Sequence, residues 1–268
     1  MSPREIHTTC PYCGVGCGIL ASLDEAMNVS VRGDPDHPAN FGRLCSKGAA
    51  LGETVGPDNR LLYPKVNGEV TDWGRALDHV AGEFRRVIDK HGPEAVAFYV
   101  SGQLLTEDYY VANKLMKGFI GTANIDTNSR LCMSSAVAGY QRAFGEDCVP
   151  TCYEDLERAK LIVITGSNLA WCHPIVYQRI VSAKQLSPDL KVVVIDPRRT
   201  QTAGIADLHL SLKAGTDAVL FNGLLVAIDE QHEVNHSFVD NMTSGVEQAL
   251  DAARTSSPSV ASVAEQCG

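Results

Sequence analysis

Four cysteines stand near the start of the chain in the pattern Cys10-x2-Cys13-x3-Cys17-x27-Cys45, the last within Cys45-Ser46-Lys47-Gly48. Thiolates are soft ligands, and four together suit zinc or an iron–sulfur cluster. Zinc ribbons pair two short knuckles of closely spaced cysteines. Here three thiols bunch and the fourth is distant, a spacing nearer to that of iron–sulfur proteins. Structural zinc and incidental cysteines are the alternatives. Lys47 is either a plain surface lysine or a cation set beside the metal group, and spacing alone does not choose.

A fifth cysteine, Cys132, lies in Asn128-Ser129-Arg130-Leu131-Cys132-Met133-Ser134-Ser135-Ala136. Its small polar neighbours argue against a core thiol and for a nucleophile or metal ligand. Cys148, Cys152, Cys172 and Cys267 have neighbours that suggest no chemistry, and read as small buried or surface residues. His79 and His91 fall on or just after an amphipathic helix and read as solvated.

Three loops have the composition of ligand cradles. Gly166-Ser167-Asn168-Leu169-Ala170-Trp171-Cys172-His173-Pro174 offers a glycine for close backbone approach, hydroxyl and amide side chains, and a proline where a helix begins. Asp196-Pro197-Arg198-Arg199-Thr200 sets an acid before two forked cations; Asp196 could take ribose hydroxyls or a guanine edge, and Arg198 and Arg199 a pyrophosphate. Gly215-Thr216-Asp217 opens a further helix, with Thr216 as its expected cap. None is a Gly-x-Gly-x-x-Gly fingerprint or a Walker A loop, and each alone could be a well-capped turn. Three along one sheet point to a nucleotide-like ligand.

The elements that must position these residues follow from pattern. Gly18 to Ser22 and Val29 to Gly33 read as strands, followed by the turn cluster Asp34-Pro35-Asp36-His37-Pro38. Glycines 14, 16 and 18 let the backbone wind around whatever the first thiols hold. Beyond about residue 58, Trp73 to His91 carries apolar residues at helical spacing and stops at Gly92-Pro93. Ala95 to Val100 reads as a strand and Asp108 to Phe119 as a helix. Leu161 to Thr165 and Lys191 to Ile195 are continuous apolar strands with a helix, Pro174 to Gln185, between them. That order predicts a parallel sheet with crossover helices. Helices are expected through much of Asp217 to Arg254, with another beginning near Val260. The expected organisation is α/β: a small mainly-β domain at 1–58, then a parallel-sheet, Rossmann-like α/β domain at 59–268.

Length, at 268 residues, allows such a core, and the 44% apolar and 21% charged fractions are those of a globular protein. A formal net charge of −9 argues against sequence-independent nucleic-acid binding. It leaves anionic small ligands open, because helix N-termini and local donors capture those. No apolar run approaches the ~20 residues of a membrane span. The residues before Cys10 hold one arginine and no apolar stretch, so neither a secretory nor a twin-arginine signal is expected, and the expected setting is the cytoplasm. There, reducing conditions keep thiols available as ligands, and nine cysteines, an odd number, do not read as a disulfide framework.

Together these motifs resemble the N-terminal part of the molybdopterin-dinucleotide oxidoreductases, the group that holds formate dehydrogenases and bacterial nitrate reductases. Thr9-Cys10-Pro11-Tyr12-Cys13-Gly14-Val15-Gly16-Cys17 and Gly42-Arg43-Leu44-Cys45-Ser46-Lys47-Gly48 resemble that family's [4Fe–4S] motif. The resemblance implies that Lys47 sits between cluster and pterin and that Cys132 is the protein ligand of molybdenum. It further implies that Gly166 to Pro174, Asp196 to Thr200 and Gly215 to Asp217 hold a Mo-bis(molybdopterin guanine dinucleotide), with Gln103 and Asn128 approaching it near the metal. Formate dehydrogenases carry histidine after the metal ligand. Here Met133 follows Cys132, and the run Arg130 to Val137 resembles nitrate reductases, in particular the cytoplasmic assimilatory kind.

The implied activity is reduction of nitrate to nitrite by oxygen-atom transfer, with electrons reaching the metal through the cluster. Ferredoxin, flavodoxin or a nicotinamide-linked flavoprotein would be the donor; nucleic acid and membrane are not expected partners. Formate oxidation, or a catalytically silent fragment that only carries cluster or cofactor, are the rival expectations. Members of the group are several hundred residues longer, so this chain is expected to be one portion of the whole catalytic subunit.

Overall fold

A computed structural model describes residues 5–268. Near the N-terminus β1 (Glu5–Thr9), β2 (Gly18–Leu23) and β3 (Val29–Gly33) form a three-stranded sheet in that order. A four-residue helix, α1 (Ser46–Ala49), begins directly after Cys45, and a small antiparallel hairpin follows, β4 (Lys65–Val66) with β5 (Glu69–Val70). By packing, the chain divides into two compact units. One takes residues 5–6, Leu20–Val31 and Ala50–Thr151; the other takes His7–Ile19, Arg32–Ala49 and Cys152–Gly268.

In the first unit, α2 spans Trp73–His91, as its periodicity predicts. Asp72 caps it by accepting the Arg75 N–H at 2.9 Å, and Gly92 at φ 82 ends it. β6 is shorter than expected, Phe98–Val100, because Pro93–Ala95 close into a 3₁₀ turn. It pairs in parallel with β7 (Ile125–Thr127). The helix expected from Asp108 instead starts as α3 (Thr106–Asn113) and loosens into a π-helical stretch, Lys114–Ile120. Gly121 in the left-handed region ends that stretch, with its N–H and that of Thr122 both turned back on the Met116 carbonyl. α4 (Ser129–Phe144), which the sequence pattern did not announce, carries Cys132 and stops at left-handed Gly145.

The second unit holds α5 (Tyr153–Arg158), β8 (Leu161–Thr165), the short α6 (Leu169–Cys172), α7 (Pro174–Leu186), β9 (Lys191–Ile195) and β10 (Leu208–Leu210). β8, β9 and β10 are parallel throughout, in the order β10–β9–β8. The apolar strand runs place Ile162, Ile164, Val192 and Val194 on one face, packed with Ile180 and Ala183 of α7 and with Leu190. Full burial of each such aliphatic side chain contributes roughly 1.5–3 kcal/mol. Leu161 and Val163, on the other face of β8, stay exposed. The Asp207 carboxylate pins the start of β9, accepting the Val192 N–H at 2.8 Å and a bond from Lys184.

The long helical region expected from Asp217 onward is three helices: α8 (Asp217–Glu230), α9 (His236–Met242) and α10 (Val246–Ser256). Left-handed His232 and Gly245 make the breaks. α11 (Val260–Cys267) follows, capped by Ser259, which accepts the Ser262 N–H. No helix among the described residues is long and apolar enough to cross a membrane.

Candidate functional site

The first candidate centre, in the second unit, is a nest of thiols. The Cys10 N–H donates to the Cys17 carbonyl at 2.9 Å and closes the loop that carries Cys13, with Gly16 at φ 71 making the turn. Cys45 immediately precedes α1, and its carbonyl accepts the Ala49 N–H at 3.0 Å. Gly48, one turn into α1, is buried against this loop: a methyl there would lie 3.8 Å from the Cys10 sulfur. Cys10 and Cys17 are buried, while Cys13 and Cys45 are partly exposed. Lys47 lies on α1 with its side chain exposed.

The other three sulfurs lie close enough to Cys17 to act on it electrostatically. The Cys17 thiol is pushed up to about 11, first by burial and then by the negative fields of Cys10, Cys13 and Cys45. A cationic group bound there would compensate that burial and repulsion, which is what a metal centre does. No three His, Cys, Asp or Glu side chains among the described residues converge closely enough for one shared ion. Four thiols match in number and softness a cube whose iron atoms each take one sulfur.

Residues that the motif reading passed over hold this nest together. Asn40, 1% exposed, accepts the Gly18 N–H at 2.8 Å and donates to the carbonyls of Gly18 and Arg43 at 3.0 and 2.9 Å. His7 pairs with Asp34 at 2.8 Å and, with the Asp36 N–H, holds the Asp34 carboxyl below the usual carboxylate range. Tyr153 and Arg179 reach the cysteine-bearing loops from α5 and α7. Burial raises the Tyr153 phenol above its ordinary range, and the negative fields of Cys17 and Cys13 add to the rise. Within the sequence these side chains show no spacing rule that ties them to the cysteines.

The same unit aligns the three expected loops. Gly166 (φ 56) leaves β8 and donates its N–H to the Ile195 carbonyl at 2.9 Å, which sets it beside the end of β9. Thr202, fully buried, donates to the Asn168 side chain at 3.2 Å and accepts the Ala170 N–H at 3.1 Å. Asp196 is buried, accepts the Arg198 N–H at 2.8 Å through its carboxylate, and bonds through its own N–H to Leu210. Ser211 donates to the Pro197 carbonyl at 3.0 Å. Arg198 and Arg199 are exposed. All these loops lie at carboxyl ends of parallel strands, where open α/β sheets bind ligands.

Thr216 departs from expectation. Its hydroxyl does not cap α8 but donates back to the Lys213 carbonyl at 2.7 Å. That bond uses the hydroxyl to close the Lys213–Thr216 turn, and no side chain caps the first N–H groups of α8. Such a helix start favours an anion.

The second candidate centre, described by itself within the first unit, surrounds Cys132. The thiol sits on the first turn of α4, exposed, with its N–H on the Asn128 carbonyl at 3.3 Å and its sulfur 3.6 Å from the Ser129 carbonyl. The Asn128 side chain accepts the Gly102 N–H at 2.6 Å, and the Gln103 N–H donates to the Ser101 hydroxyl at 3.1 Å. A Cβ on Gly102 would stand 2.7 Å from the Ser129 hydroxyl, so a larger residue there would have to turn that side chain aside. The loop after β6, which carries Gln103, therefore rests on the start of α4 through Gly102 and Asn128, one turn before Cys132. Beside them Met133, Arg130, Ser134 and Asp126 line a groove of about 450 Å³. Arg130 donates to Ser134 at 2.9 Å within it.

A thiol nest, a parallel sheet with ligand-type loops, and a lone thiol on a helix start together define a cofactor-binding redox protein. The chain belongs to the molybdopterin oxidoreductase family, whose model matches residues 60–255, and the model of the molybdopterin oxidoreductase Fe4S4 domain matches residues 3–56. It is 63% identical over 236 residues to a nitrate reductase of Klebsiella oxytoca, covering 88% of this chain and 27% of that protein. A nitrate reductase of Shewanella frigidimarina is 48% identical, covering 98% and 29%. The alpha subunit of an F420-dependent formate dehydrogenase from Methanococcus maripaludis is 36% identical, covering 96% and 38%. Among solved structures, acetylene hydratase from Pelobacter acetylenicus superposes with a TM-score of 0.86 at 25% identity, covering 99% of this chain and 37% of that one. The chain thus spans less than a third of the length of these two nitrate reductases.

Proposed function

We propose that this chain is the cluster-bearing and pterin-binding portion of a cytoplasmic nitrate reductase. The observation that carries the reading is Cys132 followed by Met133, in a chain with 63% identity to a nitrate reductase. Residues 1–58 hold the cluster through Cys10, Cys13, Cys17 and Cys45, and residues 59–268 hold the pterin dinucleotide and, through Cys132, the metal. When bound, the molybdenum–pterin supplies oxygen-atom transfer that converts nitrate to nitrite, and the [4Fe–4S] cluster supplies the electrons one at a time.

The chain's own residues bind and orient. Gly166, Ser167, Asn168 and His173 let backbone and short polar groups approach one dinucleotide. Asp196, already ordered by the Arg198 N–H, presents its carboxylate to hydroxyl or guanine donors. The exposed guanidinium groups of Arg198 and Arg199 pair with pyrophosphate. Gly215, Thr216 and Asp217 offer the open start of α8. Lys47, exposed on α1 two residues after Cys45, would supply the cation between cluster and pterin. Asn128, tied to Gly102, keeps the turn that presents Cys132, with Gln103 beside it. Nine free thiols suit a reducing compartment, and a ferredoxin, flavodoxin or NAD(P)H-linked flavoprotein is the donor type.

The formate dehydrogenase relative favours a second reading, oxidation of formate, which Met133 in place of histidine opposes. The test is a chimaera in which this chain replaces the matching segment of the Klebsiella enzyme, purified without oxygen and assayed with both substrates. Nitrate-dependent oxidation of a reduced dye is expected, with molybdenum, iron and guanine nucleotide in the purified protein. Formate turnover without nitrate turnover ends the reading.

A further inference from the structure

Two side chains outside every cysteine motif grip the loops that carry the cysteines. Tyr153, the first residue of α5, donates its hydroxyl to the Val15 carbonyl at 2.7 Å, between Cys13 and Cys17. Arg179 of α7, 3% exposed, donates through Nη1 to the carbonyls of Pro38 and Ala39 at 2.6 and 3.2 Å. Its Nε bonds Glu157 at 2.9 Å. The same guanidinium lies between two rings, 5.2 Å from the centroid of Phe41 and 5.1 Å from that of Tyr153. Phe41 adopts φ 45, a costly conformation for a bulky residue, and persists because its surroundings over-determine it. Those surroundings are the Arg179 stack, its own N–H on His37 at 2.9 Å, and the next N–H on Asp34 at 2.8 Å.

We propose that Tyr153 and Arg179 are positioning residues of the iron–sulfur cluster, latching the 13–17 and 38–45 loops and biasing the cluster toward reduction. The proposal rests on the reading of Cys10, Cys13, Cys17 and Cys45 as its ligands. Reduction adds negative charge to a group already bound by four thiolates. A hydroxyl donor on the Val15 carbonyl offsets the negative end of that peptide dipole, and the buried guanidinium, ion-paired with Glu157 at 2.8 Å, neutralises a carboxylate that would otherwise add to the negative field. Both therefore raise the reduction potential. Both also hold shut the loops through which iron would escape.

Tyr153→Phe separates these roles from bulk packing, because it keeps the ring over Arg179 and deletes one donor. Arg179→Met deletes the cation and its fork, and Arg179→Lys keeps charge without the fork. The protein is purified without oxygen or reconstituted with iron and sulfide. Iron and sulfide are then counted, the electron paramagnetic resonance spectrum of the reduced cluster is recorded, its midpoint is titrated, and iron loss to a chelator is timed. Tyr153→Phe is expected to load fully, to lose iron roughly five-fold faster, and to titrate at a lower potential with an altered spectrum. Arg179→Met moves each readout further the same way, and Arg179→Lys recovers part of the change. An unchanged or raised midpoint in Tyr153→Phe overturns the proposal, whether or not the arginine variants fold. If the parent protein itself takes up no iron–sulfur cluster, the ligand reading fails instead, and the two failures are distinct.

Discussion

Asn40 bonds the Gly18 peptide in both directions, accepting its N–H at 2.8 Å and donating to its carbonyl at 3.0 Å. One buried amide thus takes the place of a backbone partner for the Gly18 N–H where β2 begins, one residue after Cys17, while the Gly18 carbonyl also accepts the Asp34 N–H at 3.0 Å. The turn after β3 is thereby tied to the start of β2, so the geometry of Cys17 depends on a residue 23 positions later.

Asn40→Ala leaves the Gly18 N–H without a partner in a buried site, while the Gly18 carbonyl keeps the Asp34 N–H at 3.0 Å. The expected loss is about 2–3 kcal/mol of stability, together with faster release of iron. Urea unfolding of cluster-loaded protein checks the first, and a chelator time course the second. Unfolding at the parent's urea midpoint would show that water replaces the amide at no cost.

Two glycines of the cluster segment should differ sharply. A Cβ on Gly33 would lie 2.1 Å from the Gly42 carbonyl oxygen, a backbone atom that cannot step aside. Gly33→Ala is expected to cost about 2–3 kcal/mol or more and to lower the thermal midpoint. At Gly48 the nearest atom is the flexible end of Leu44 at 3.3 Å, so Gly48→Ala should cost under about 1 kcal/mol. Equal melting temperatures for the two variants would contradict the packing described.

Asp207 links stability to pH. The Lys184 bond, then the Val192 N–H, hold its carboxyl below the ordinary carboxylate range. Because the folded value is the lower one, its contribution is fully present above the unfolded value near ~4. It is lost as pH falls through the folded value. Asp207→Asn should therefore be less stable than the parent at pH 7, and the gap should close under acid conditions below pH ~4. Urea midpoints measured across that range decide it, and a gap that widens with acid would reverse the sign.

Cys132 is exposed on the first turn of α4, so its sulfur can be removed without opening the core. In the chimaeric enzyme, Cys132→Ala is expected to lower nitrate turnover by about 100-fold or more while leaving iron content and melting temperature near the parent's. Asn128→Ala should fall between, because it releases Gly102 and loosens the turn. Full turnover in Cys132→Ala would remove this residue from the site.

Much was legible before any coordinates. The helix Trp73–His91 and the strands Leu161–Thr165 and Lys191–Ile195 end where periodicity, glycine and proline say they should. Those signals are local, set by neighbours three or four residues away. α4 escaped notice because Ser129 to Phe144 mixes small, polar and apolar residues without a marked apolar stripe. The π-helical stretch at Lys114–Ile120 likewise has no composition of its own, since it arises where the chain must meet Gly121 and Thr122.

The cysteine spacing, the Cys132-Met133 pair and the strand-end loops were properties of the amino-acid order alone, because ligand type and short-range turns are written in adjacent residues. That Tyr153 and Arg179 would close on loops more than 130 residues earlier was decided only by tertiary packing. A hydroxyl or guanidinium finds a distant carbonyl through the shape of the sheet and helices between them, and burial then makes that bond costly to lose.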